Sequence, residues 1–226
     1  MKEEYLNKSK LILENLKSSI NSFFVLYDSL EETDDYQKQD LLRAIILFSC
    51  SGIDAIVKQL INDTLHHVIE HDEGAFNQFK KYTEDKIVLK NSNGINSKLL
   101  SELFTCENPK VILINALKRD LTQGSLQSVE ELFKVGSYFN IESTKLESDR
   151  SGIEELRNIF VARNQITHEM DVDMSSPTIV RRHRDNNDVK NYSDHLINLS
   201  EKFINIVSEK LDDTEEVNEF EQVVSI

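Results

Sequence analysis

Residues 44–57, AIILFSCSGIDAIV, are apolar on nearly every side of a helix. A helix of that kind leaves no stripe for water, so the rest of the chain must wrap it. Such a centre, together with only 6 Gly and 2 Pro in 226 residues, argues against a many-stranded sandwich or barrel, which needs turn residues at short, regular spacing. The expectation is an all-α fold. Asp54 interrupts the run, and a carboxylate in a packed helix is costly unless a cation or several donors satisfy it. It therefore reads as facing a cleft or a partner, most simply an arginine. Gly52 lowers helix propensity beside it, which fits a place where another backbone or a ligand comes close.

The flanking segments carry the matching periodicity. Leu6, Leu13, Leu16, Ile20, Phe23, Tyr27 and Leu30 recur at helical steps and predict a first helix over 2–30. The central helix is expected from about 37 to 65–69. The polar stretch 73–97, with a turn at Asn91, Ser92, Asn93 and Gly94, reads as a weaker helix plus a loop inserted into the domain. Asn108 followed by Pro109 marks a helix start. Ser128 with Glu131 has capping-box spacing, and so does Ser151 with Glu154. The helix opened by Ser151 has Ile153, Leu156, Ile159, Phe160 and Ile166 for its buried side and should fray near 171–177. A last helix over 188–211 offers Leu196, Leu199, Phe203, Ile204 and Val207, and 212–226 reads as an acidic tail.

The formal charge of -14 opposes non-specific attraction to nucleic acid, because binders gain affinity by replacing condensed counterions with Lys and Arg. Any nucleic-acid role must be local. The main basic cluster is Arg181, Arg182, His183 and Arg184, which could contact RNA phosphates, although short basic runs are usually solvated. Cys50 and Cys106 have neither disulfide-framework nor zinc spacing. With no apolar signal core at the N-terminus and no long uninterrupted apolar run, the expectation is a cytoplasmic protein rather than a secreted or membrane-inserted one.

The most informative segment is Arg163-Asn164-Gln165-Ile166-Thr167-His168. In a helix, Asn164 and His168 share a face with Thr167, and Arg163 starts about 140° round from His168. Together they offer a guanidinium for phosphate, an amide to orient a group, and an imidazole suited to proton transfer near neutrality.

On these residues the chain resembles the HEPN superfamily, in particular its RiboL-PSP-HEPN type. Ribonuclease members of that superfamily carry an Arg-x4-6-His signature, often with Asn directly after the Arg. Arg163 and His168 occupy the signature ends and Asn164 its second position. A long apolar helix before the motif and another helix after it also match. The resemblance covers about 41–207 and implies an antiparallel helical bundle with extra helices and a poorly matched insertion at 73–97, all within one domain over 1–211. It further implies metal-independent RNA cleavage, with no cofactor and no metal. His168 would transfer protons, Arg163 would stabilise the phosphorane-like transition state, Asn164 would hold the His or the phosphate, and Asp54 and Thr167 would support them. Apart from the resemblance, the basic run itself offers Arg181, Arg182 and Arg184 as RNA contacts. The implied partners are RNA such as tRNA or mRNA, a second copy with facing motifs, and an antitoxin or regulatory protein. Neither DNA nor a membrane is expected.

Plainer readings stand beside these. Arg163 could cap a carboxylate such as Asp54 while His168 is satisfied in a helix interface, leaving a non-catalytic interaction or nucleotide-binding module. His66, His67 and His71 with Glu70 and Asp72 could form a surface metal site, but without a third defined ligand a solvated helix end is the simpler reading. Ser49 and Ser51 lack a nucleophile elbow.

Overall fold

The protein is described by a computed structural model covering residues 2–89, 94–173, 175 and 179–223; the side chains at 89, 94 and 95 and beyond Leu211 fall outside the described set. Nine helices follow one another among the described residues: α1 (Lys2–Ser29), α2 (Asp35–His71), α3 (Glu73–Ile87), α4 (Ser97–Thr105), α5 (Pro109–Thr122), α6 (Val129–Tyr138), α7 (Ser143–Leu146), α8 (Arg150–Glu169) and α9 (Asn186–Val223). A two-residue antiparallel pair, β1 (Val88–Leu89) with β2 (Gly94–Ile95), bridges α3 and α4. The fold is all-α.

The apolar run lies in the middle of α2. Ile45, Cys50, Ile53, Ile56, Val57, Leu60, Ile61 and Leu65 have no exposure to solvent. Helices α1, α8 and α9 pack along α2, with α3 and α5 against its C-terminal half. From α9 come Leu196, Leu199, Phe203, Ile204 and Val207, and from α1 come Leu6, Leu13, Leu16 and Ile20, all buried. Each such side chain contributes about 1.5–3 kcal/mol on burial. Gly52 meets a side chain rather than the backbone or ligand expected of it: a β-carbon there would run into the Leu16 side chain of α1. By length and composition α2 could cross a membrane, with an 18-residue window of mean hydropathy 1.7, and half of that window is buried within the bundle.

Local capping chemistry sets the helix starts. Asn108 Oδ1 accepts the Val111 N–H and Ser128 Oγ accepts the Glu131 N–H at 3.1 Å, as their spacing predicts. The third cap differs from expectation. Asp149, not Ser151, caps α8 by accepting the Gly152 N–H at 2.8 Å, while Ser151 Oγ donates to the same carboxylate. Asp competes well at such a position because its charge also complements the helix dipole. Two short helices, α4 and α7, have no counterpart in the sequence reading. The expected turn at 91–94 lies mostly outside the described residues, and the last helix continues to Val223 rather than stopping at Leu211.

Candidate functional site

Helix α8 presents two faces. Leu156, Ile159, Phe160, Ala162 and Ile166 are buried, whereas Asn164, Thr167 and His168 are exposed and Arg163 is half-buried. The helix stays α-helical through Glu169, so the angular relations expected of the motif hold. Arg163 Nη1 donates to Asn164 Oδ1 at 2.9 Å, and Thr167 Oγ1 donates to the Arg163 carbonyl at 2.9 Å. Asn164 thus steadies the guanidinium rather than the imidazole. His168 makes no side-chain hydrogen bond or ion pair among the described residues. Arg163 also approaches α2. Burial pushes the Cys50 thiol up to about 12, and the Arg163 guanidinium only partly opposes that shift. The site therefore offers a steadied guanidinium with donors left for an anion and an exposed imidazole on the adjoining face.

Immediately after the motif the chain does something its sequence did not announce. Met170 and Asp171 both adopt the left-handed conformation, with φ of 51° and 60°, and both their N–H groups reach back to the Gln165 carbonyl. The Asp171 side chain is completely buried. Its carboxylate accepts from Arg43 Nε at 2.7 Å and from both Nε and Nη2 of Arg184. Arg184 Nη2 also donates to Gln165 Oε1 at 2.9 Å. Arg43 Nη2 donates to the Arg182 carbonyl, and Gln39 pairs with both main-chain groups of Arg184. A buried ion cluster thus ties Asp171, Arg182 and Arg184 to α2 at the motif's end of α8. The signal missed in sequence was Arg43, a cation inside an otherwise apolar helical stretch, which demands a buried anion.

Other expectations change accordingly. Asp54 does not meet Arg163; it accepts the Leu126 N–H at 2.7 Å and pairs with Lys58 one turn on at 2.8 Å. It secures the loop before α6. The basic cluster is not a solvated run. Arg181 pairs with Asp40 at 2.8 Å, Arg182 with Glu169 at 3.0 Å, and Arg184 with Asp171. Arg184 could face RNA only by giving up part of that pairing, whereas Arg181 is exposed and keeps donors beyond the one it gives Asp40.

At the far end of α2, His66 and His67 stack with ring centroids 3.7 Å apart, and Tyr5 covers His67 at 4.1 Å. His71 Nδ1 lies 2.9 Å from the His67 carbonyl, while Asp72 caps α3 through the Ala75 N–H and pairs with Lys210. His66 and His67 therefore serve packing, while His71 is exposed. Among the described residues no group of three or more His, Cys, Asp or Glu side chains converges to hold a metal ion. Both cysteines are free. On the other side of α8, His195 of α9 sits between two carboxylates. Its Nδ1 lies 2.9 Å from Glu155, and its Nε2 lies 2.8 Å from Glu147 without hydrogen-bond geometry.

No family model matches this chain, and no match is found among curated proteins or among solved structures.

Proposed function

We propose that this chain is a cytoplasmic, metal-independent endoribonuclease of the HEPN type, acting on cellular RNA as a toxin or phage-defence effector. The observation that carries the reading is the exposed end of α8, where Arg163 is steadied by Asn164 and His168, one face away, makes no side-chain hydrogen bond among the described residues. The reaction needs nothing else. The RNA 2′-oxygen attacks its own phosphorus and the bond to the 5′-oxygen breaks, leaving a cyclic phosphate and a 5′-hydroxyl. One proton must leave the 2′-hydroxyl and one must reach the 5′-oxygen, which is imidazole chemistry, while a guanidinium suits the charge gathering on the phosphoryl oxygens. A homodimer with facing motifs would supply two imidazoles and double the local cationic charge. Half-exposed Phe48 on α2 and Val161 on α8 provide apolar surface for such a pairing.

The pairing of Arg181, Arg182 and Arg184 with carboxylates favours a second reading, a non-catalytic module that binds a protein or nucleotide with the same face. Substitution separates the two. His168→Ala and Arg163→Ala should each lower RNA cleavage by roughly 100- to 10,000-fold with helicity and melting nearly unchanged, since both side chains reach solvent. If both variants cut RNA like the wild type, the site is elsewhere; saturable binding without turnover supports the module.

A further inference from the structure

We propose that Asp171 is a positioning residue for His168, fixing the last turn of α8 through the ion cluster it shares with Arg43 and Arg184. The inference rests on the ribonuclease reading for its catalytic consequence and on geometry for the rest. His168 is the penultimate residue of α8, just before Glu169, where carbonyl groups run out of intrahelical partners and helices open first. An imidazole that must meet a phosphate within a fraction of an ångström is poorly served by a fraying turn.

Three features counter fraying at this place. The Gln165 carbonyl accepts the N–H groups of both Met170 and Asp171, closing the end of the helix in the manner of a left-handed cap. That cap is usually built on glycine, whereas here two successive non-glycine residues hold it at φ of 51° and 60°. Such a conformation persists only where the surroundings over-determine it, and it clusters at functional sites. The surroundings in question are the buried carboxylate and its two guanidiniums. The third feature is a second grip on the same residue, because Arg184 Nη2 donates to Gln165 Oε1 at 2.9 Å. Gln165, inside the motif, is thus held by its main chain through Asp171 and by its side chain through the arginine that Asp171 neutralises. Further along, the Arg182 N–H donates to the Asp171 carbonyl at 2.7 Å, and Arg182 Nη1 pairs with Glu169, the residue after His168. The cluster is small in extent but contacts residues on both sides of His168.

The test compares wild type, Asp171→Asn and Gln165→Leu in steady-state cleavage of a labelled RNA and in amide hydrogen exchange of the full chain. Asp171→Asn should lower kcat by roughly 10- to 100-fold with KM held within about twofold, as expected for lost alignment rather than lost binding. Exchange should accelerate at 165–171 beyond the change in the middle of α2, which reports only global stability. Gln165→Leu, which leaves the buried ion pairs intact, should show the same pattern more weakly, and it decides the matter should Asp171→Asn fail to fold. A kcat within about twofold of wild type in both variants, or unaltered exchange at 165–171, overturns the proposal. If the wild type cuts no RNA, the ribonuclease reading fails on its own, and the exchange data alone decide whether Asp171 holds the turn.

Discussion

The two ends of α2 keep ionisable groups away from water in opposite ways. Towards its N-terminus, Arg43 enters the interior and meets Asp171, whose carboxylate Arg184 shares. Towards its C-terminus, His66 packs beside His67, and its ring nitrogen meets an ammonium, Lys118 Nζ at 3.3 Å. There burial, assisted by His67 and Lys118, pushes the imidazole down to about 4, so the group is neutral near pH 7. The first solution requires side chains from separate stretches of sequence to meet; the second requires only that a proton stay off. One end should therefore be sensitive to deletion of a partner, and the other to acid.

The largest effect is expected at the paired end. Asp171→Ala leaves two guanidiniums facing a vacated anion site and should destabilise by about 3–5 kcal/mol, read from urea unfolding at neutral pH. A loss under about 1 kcal/mol would place Asp171 among weak surface pairs and end the contrast. At the other end, the unfolded chain binds a proton on His66 below about 6.5 that the folded chain refuses until about 4. Stability should fall as pH drops through that window, because the unfolded state there binds more protons, and His66→Gln should flatten the slope. Asp72 adds a further loss at lower pH. Burial works against its ionisation, but Lys210, the Ala75 N–H and Asn140 outweigh that and hold the carboxyl below its ordinary value. Its contribution is present above the ordinary carboxylate range and disappears as pH falls through the depressed value. The smallest effect concerns Cys50, which lies between the two ends. Half-buried Cys106 should react with a thiol reagent in the native protein, while Cys50, fully buried and pushed up to about 12, should react only on unfolding.

Much of the fold was legible because one-dimensional spacing determines it. The apolar positions of α1, α2 and α9 repeat at helical steps, and Asn108 and Ser128 announce caps that need only three residues to form. The candidate site was half legible. Arg163, Asn164 and His168 lie within one helical stretch, so their spacing carries their geometry. Asp171 lies just outside it and reads as a solvated loop residue until Arg43 and Arg184 are brought to it from elsewhere in the chain. Asp54 was legible in part: the cation it needs, Lys58, stands one turn on in the same helix, whereas its second partner is a main-chain N–H at Leu126, which any residue but proline could supply. Ser151 lost the cap to Asp149, two positions earlier, where a local spacing rule offered two candidates and charge decided between them.

The central claim is that the end of α8 cleaves RNA by transesterification. The most direct measurement incubates purified wild type and His168→Ala with total RNA and a labelled tRNA in chelator, followed by chemical analysis of the fragment ends. The account predicts cyclic-phosphate and 5′-hydroxyl ends from wild type alone. Absence of cutting by both proteins, or equal cutting by both, contradicts it.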